Sequence, residues 1–219
     1  MNQHRLKASF MKAYPVLLVL LASTFSHGET SEADSERLQA LLEPIKSLSA
    51  SFVQSVYAAD GFEIDSSEGL FKVASPAKVV WHVTAPLEQQ VISDGSTLWV
   101  YDPDLDQVVV NSVDGRLSAT PAVLFSGDLE SLEASYEVAQ KSLNIETPSF
   151  LLTPRDNASL FSMIELQFAG KEPAAIIITD TLGQSTAIVL SGLQLNPLLH
   201  EETFVFSIPA GVDIINNVQ

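Results

Sequence analysis

No cysteine occurs among the 219 residues. Disulfides, thiolate metal sites and thiol nucleophiles are therefore excluded, and so is the acylated cysteine that anchors a bacterial lipoprotein. Basic residues are scarce: 11 Lys and Arg stand against 27 Asp and Glu, a formal charge of −16. Phosphate binding needs clustered cations, so nucleic acid is not a partner, and an anionic membrane surface repels a chain of this charge. Histidine is also sparse. Of four, His4 and His27 fall in an N-terminal leader, which leaves His82 and His200 with no HExxH and no pair at ligand spacing. A zinc or redox metal centre is not expected, and His82, mid-strand beside Trp81, reads as a polar position on a sheet face.

The usual signatures of catalysis are missing as well. The chain has no GxSxG elbow and no glycine-rich phosphate loop. Asp102, Asp104 and Asp106 occupy positions 1, 3 and 5 of a calcium loop, but position 6 is Gln107 and position 12 is Val113, where glycine and a bidentate glutamate belong. A turn between strands accounts for them better. Carboxylates abound, yet no pair is marked out by a distinctive apolar setting. No cofactor is expected, and a hydrolase reading rests on that abundance alone.

What the chain does have is apolar residues, 46 % of the total. Arg5, Lys7 and Lys12 precede the short apolar run 13–25, and Ser26-His27-Gly28 supplies small residues for cleavage after Gly28. Residues 1–28 thus read as a signal peptide and 29–219 as one domain. The run is too short for a membrane span of about 20 residues, so the expectation is a soluble exported protein. Cleavage removes three basic residues and no acid, which takes the formal charge from −16 to −19.

Leu38, Leu41, Leu42 and Ile45 recur at helical spacing over 31–46, with Pro44 limiting the helix. The period then switches: Leu48, Ala50, Phe52 and Val56 alternate with serines, as in a strand with one apolar face. Short strands separated by turn residues are expected at 69–74, 78–84, 89–93, 97–102, 107–111, 135–139, 149–153, 162–168, 174–179, 186–190 and 203–206. Residues 58–69 read as a hairpin connection. About 11 antiparallel strands in one domain imply a large curled sheet, a sandwich or a barrel. Within 117–134, Thr120 as N-cap and Pro121 at the first helical position introduce a second short helix bearing Val123, Leu124 and Phe125. Strand 97–102 carries large apolar groups on both alternations. With Asp94-Gly95 as a two-residue turn, Val91 pairs with Leu98, and Val91, Leu98 and Val100 form an aliphatic face opposite an aromatic one that tolerates exposure. Either the helices plug the sheet permanently, or they lie over a cavity and yield to an apolar ligand.

Several segments carry a resemblance: "LSASFVQSV" with Phe52 and Gln54; "GLFKVASPAKVVW" with Gly69, Pro76 and Trp81; "PLEQQVISDGSTLWVYDPDLDQV"; "TPAVLF"; and "FVFSIPAGVDII" with Pro209, Gly211 and Asp213. Together they resemble the outer-membrane lipoprotein carrier family, the LolA-type periplasmic chaperones. The resemblance implies a mainly β fold, an incomplete antiparallel β-barrel with an α-helical lid over an apolar cavity, in a periplasmic monomer that is not an enzyme. It further implies acceptance of triacylated lipoproteins from an inner-membrane ABC lipoprotein-releasing complex and delivery to the outer-membrane receptor lipoprotein LolB. Phe52, Phe71, Val79, Trp81, Leu98 and Val100 are then expected to contribute to the cavity, and Val123, Leu124 and Phe125 to the lid. One departure stands out. The family commonly has Arg before this proline, resembling a latch bonded to the lid; here the residue is Ser75, shorter and uncharged. A binding module of the same fold for another lipid or glycolipid stays open as an alternative on that account.

Overall fold

A computed structural model describes residues 27–113, 132, 134–156 and 159–218. The first described element is helix α1 (His27–Leu42), so the expected cleavage point after Gly28 falls in its first turn. The helix stops ahead of Pro44, as proline requires, and buries Leu38 and Leu42, followed by Ile45 just past its end. Burying each of these side chains is worth about 1.5–3 kcal/mol.

Among the described residues twelve strands follow: β1 (Ser47–Tyr57), β2 (Glu63–Ala74), β3 (Lys78–Ala85), β4 (Gln89–Asp94), β5 (Thr97–Asp102), β6 (Gln107–Ser112), β7 (Tyr136–Ser142), β8 (Ser149–Pro154), β9 (Phe161–Ala169), β10 (Glu172–Asp180), β11 (Ser185–Leu195) and β12 (Asp213–Asn216). They form one open sheet in the order β12-β6-β5-β4-β3-β2-β1-β11-β10-β9-β8-β7. Two antiparallel meanders, β1–β6 and β7–β11, are joined where β1 pairs with β11. This matches the expected mainly β, incomplete barrel, with an unforeseen parallel strand: β12 runs alongside β6. The expected connection at 58–69 is shorter than predicted, because β2 already begins at Glu63 and pairs with Tyr57.

The inner face is mostly apolar. Leu48, Ala50 and Phe52 of β1, Phe71 and Val73 of β2, and Val79 and Trp81 of β3 alternate into the same cluster as Phe150 and Leu152 of β8, Ile164, Leu166 and Phe168 of β9, Ile176 and Ile178 of β10, and Ile188 of β11. Residues from both meanders can meet in one cluster only if the sheet curls. Leu38 and Leu42 of α1, Ile45 just past it and the helical Leu132 complete it, so among the described residues a helix and its flank, not a second sheet, cover this face.

The hairpin of β4 and β5 pairs Val91 with Val100, Ser93 with Leu98, Ile92 with Trp99 and Gln90 with Tyr101. The turn therefore centres on Gly95-Ser96, one residue later than predicted, and the partners slide by two. The cause is Asp94, whose Oδ1 accepts from the amides of Ser96 and Thr97 and from the Ser96 hydroxyl, each at 2.8 Å. Gly95 takes φ +100° at the first turn position, where such a hairpin favours glycine. A slip by an even number keeps every side chain on its face, so Val91, Leu98 and Val100 remain together.

Burial by itself would raise the Asp94 carboxyl, but the amide bonds from Thr97 and Ser96 and the Ser96 hydroxyl outweigh it and hold it below the ordinary carboxylate value. A pKa depressed in the fold contributes stability above the unfolded-state value and loses it as pH falls through the folded one. Asp94→Ala is expected to lower the melting temperature at pH 7 by about 3 °C. In thermal melts the gap to wild type should narrow as the pH falls through the depressed folded-state value, where the carboxylate becomes protonated in the fold as well.

The outer face of this region overturns one expectation. Ile92, Val108 and Val110 share the aromatic side of the hairpin and are buried. The chain after β11 crosses over them: a single 3-10 turn, Glu201–Phe204, packs on β3 and β4 with Phe204 buried. Phe206 lies 6.3 Å from Trp99 and 5.7 Å from Tyr101 between ring centres, and Lys78 Nζ donates to Glu201 Oε1 at 2.6 Å. The aromatic face is thus a second, smaller core under a C-terminal strap. Residues 203–206, expected as a strand, belong to that strap because Phe204 is needed on the sheet.

Candidate functional site

The inner face beneath α1 is the candidate site. Phe52 stacks on Trp81 with centroids 3.9 Å apart and planes at 24°, and Phe71 leans on the same indole at 5.7 Å. Gly69, opposite Phe52 across β1 and β2, leaves room for the Phe52 ring. Val79 is fully buried and Leu98 nearly so. Phe52, Phe71, Val79, Trp81 and Leu98 therefore lie in one continuous cluster. Val100 shares their face through its pairing with Val91, but it is only half-buried and stands apart from the cluster. Val123, Leu124 and Phe125 lie outside the described residues.

The second meander supplies an equal share that the strand pattern did not single out. Phe150 meets Phe168 edge-on at 6.0 Å, above Leu152, Ile164 and Leu166. Alternation identified those strands, but it does not say which of two faces turns inward.

Polar groups within this lining are few and satisfied. Ser93, wholly buried, donates to the carbonyl of Ala77 at 3.0 Å and accepts from Gly95 N at 3.1 Å. Among the described residues no buried side-chain nitrogen or oxygen lacks a partner, and no cluster of His, Asp and Glu suits a metal ion. A surface of this kind offers dispersion contacts and exclusion of water, without directional bonds to fix one guest. Displacing helical residues from it would expose a surface suited to alkyl chains.

The remaining candidates are structural. Asp102 caps the turn after β5 by accepting from Leu105 N at 3.2 Å, as expected of a connection between strands. His82 lies on the outer face, with Nε2 2.9 Å from Glu88 Oε1, and Gln90 Nε2 donates to the same oxygen at 3.0 Å. The bonds from Gln90 and His82 hold the Glu88 carboxyl below its ordinary value. A groove of about 270 Å³ between Val53, Glu68 and Pro86 also lies on the outer side, since Val53 and Glu68 pair with each other facing away from Phe52. Lys72 and Lys78 both turn away from the inner face. Lys72 alternates with the inward Phe71 and Val73, and Lys78 is engaged by Glu201 across the outer face. Ser75 itself is exposed, and its backbone amide donates to Lys46 O at 3.0 Å.

Comparison with known proteins agrees with this geometry. Residues 43–207 match the family model described as outer membrane lipoprotein carrier protein LolA. An outer-membrane lipoprotein carrier protein of Pseudomonas putida (strain GB-1) is 35 % identical over 206 residues, covering 94 % of this chain and 99 % of that protein. Its counterpart in Chromohalobacter salexigens is 36 % identical over 208 residues, covering 94 % and 98 %. Among solved structures, an uncharacterized conserved protein from Thermus thermophilus shares the fold alone, with a TM-score of 0.52 at 12 % identity over 85 % of this chain and 98 % of that one. A single curled sheet with a largely apolar inner face under a helix, together with a family match across most of its length, makes this chain a member of the outer-membrane lipoprotein carrier family.

Proposed function

We propose that this protein is a periplasmic carrier that shields the acyl chains of lipoproteins and hands them on. The observation that carries the reading is the inner face itself: largely apolar from β5 to β8, free of unsatisfied polar atoms among the described residues, and covered by helical residues. Each methylene of an acyl chain moved out of water is worth about 0.8 kcal/mol, so a triacylated anchor does not cross an aqueous space unaided. A face that makes no directional bonds also lets the chain leave. Loading from an inner-membrane ABC lipoprotein-releasing complex and delivery to the receptor lipoprotein LolB are the finer parts of the proposal. Transfer runs downhill when the receptor cavity binds the acyl chains better, and needs no ATP at that step. The net charge, −16 for the full chain and −19 once the leader is removed, keeps a free carrier away from anionic bilayers between the two encounters.

The lid assignment of Val123, Leu124 and Phe125 has its own test. Phe125→Glu is expected to cut the yield of co-purified native lipoprotein about tenfold, because a carboxylate among acyl chains must be desolvated, while the urea midpoint stays close to wild type. An unchanged yield with unchanged folding would remove Phe125 from the site.

A further inference from the structure

The apolar lining ends along the strands before the sheet does. Toward the β1–β2 connection the inward positions pass from Phe52 to Gln54 on β1 and from Phe71 across Gly69 to Ser67 and Asp65 on β2. The same change runs from Val91 to Gln89 on β4 and from Ile188 to Thr186 on β11. Register sets these groups side by side: Gln54 stands between Ser67 and Ile188, and the next inward residue, Val56, between Asp65 and Thr186. Phe52 and Ile188 are fully buried, whereas Gln54, Ser67 and Thr186 are half-buried and Asp65 is exposed. A polar band therefore lies at the margin of what the protein's own atoms cover. The side-chain amide of Gln54 makes no hydrogen bond among the described residues. No lysine or arginine occupies an inward position of β1–β6.

We propose that this band is a subsite for the head of the guest, in which Gln54 recognises the linkage between acyl chains and peptide and Asp65 excludes phosphate. The inference rests on the carrier reading. An acylated cysteine is amphipathic: its hydrocarbon tails meet ester and amide carbonyls at one end, bear no phosphate there, and continue into peptide. A carbonyl drawn to the edge of an apolar cavity loses water and needs a donor, and Gln54 Nε2 is placed to donate to it just beyond the Phe52–Trp81 stack. One neutral hydrogen bond orients the guest without holding it against release. The tails then lie over Phe52, Phe71 and Trp81, and the peptide leaves past the β1–β2 connection. A membrane phospholipid offers similar tails and similar esters but adds an anionic phosphate at this level. With the Asp65 carboxylate beside the band and no inward cation, that phosphate meets repulsion alone, so the face selects by rejecting the competitor as well as by binding the cargo.

The test uses the purified protein and a pair of triacylated cysteinyl peptides, one with ester-linked chains and one in which ethers replace the esters. Wild type should bind the ester form about fivefold more tightly, the usual worth of one hydrogen bond. In Gln54→Leu, which keeps the bulk of the side chain and should keep the melting temperature, that preference should vanish. Asp65→Lys should raise affinity for dioctanoyl phosphatidylglycerol about fivefold at low salt, lose the gain at high salt, and leave the ester peptide unaffected. Equal binding of ester and ether by wild type, or an ester preference that survives in Gln54→Leu, would overturn the role of Gln54 and leave the carrier reading intact. Phosphatidylglycerol binding that does not respond to Asp65→Lys would overturn the exclusion of phosphate. A wild type that binds neither peptide would overturn the carrier reading and the subsite with it.

Discussion

Gly69→Ala is expected to destabilise the protein by about 3 kcal/mol or more, measured as a lowered urea midpoint. A β-carbon built at this position lies 2.1 Å from the carbonyl oxygen of His82 and 2.8 Å from Phe52 Cζ. The aromatic ring has some freedom to turn. The carbonyl has none, because it belongs to the neighbouring strand, and the register between β2 and β3 shifts between Glu68 and Gly69 at this very point. The glycine permits a close backbone approach at a bulge, and any side chain there pushes the strands apart beneath the Phe52–Trp81 stack. A loss below about 1 kcal/mol would mean that β2 relaxes locally and that the tight approach is dispensable.

Trp81→Ala should cost about 3–5 kcal/mol in the absence of ligand, the usual range for deleting a buried aromatic. Trp81 is 8 % exposed and touches both Phe52 and Phe71, so its removal leaves a void inside the proposed cavity and not in a remote core. That location gives the variant a second property. A triacylated lipopeptide that occupies the void adds stability by mass action, about 2.7 kcal/mol at a hundredfold excess over Kd. The ligand-induced rise in melting temperature should therefore be larger in Trp81→Ala than in wild type. A deficit that the lipopeptide leaves untouched would place the bound acyl chains elsewhere.

The sequence disclosed those parts of the molecule in which one face is buried and the other wet. Leu38, Leu42 and Ile45 announced α1 by their spacing, and Leu48, Ala50 and Phe52 announced β1, because in each element a single periodicity is tied to one core. The hairpin was legible in its faces but not in its turn, since only the bonds accepted by Asp94 decide that Gly95-Ser96 forms the tip. Residues 203–206 look like a strand because Phe204 and Phe206 alternate with Val205. They act as a strap because Ile92, Val108 and Val110 need covering, a demand set by residues about a hundred positions away. β12 was illegible for a similar reason: four residues paired in parallel to β6 make no pattern of their own. At the candidate site, resemblance and alternation together brought Phe52, Phe71, Val79, Trp81 and Leu98 to one face, while Val100 at its margin stands apart from the cluster. The contribution of Phe150, Ile164 and Ile176 follows from the curl of the sheet, which joins the two meanders only in three dimensions.

Family membership and the apolar inner face lead to one expectation above the others, that the natural occupant is an acylated protein. Native mass spectrometry of the carrier isolated from its own cells, without detergent, tests this most directly. The account predicts a fraction of molecules heavier by the mass of one intact lipoprotein, which collisional activation releases with its acyl chains attached. A carrier bearing only free lipid or glycolipid, with no protein-linked acyl chains, would contradict it.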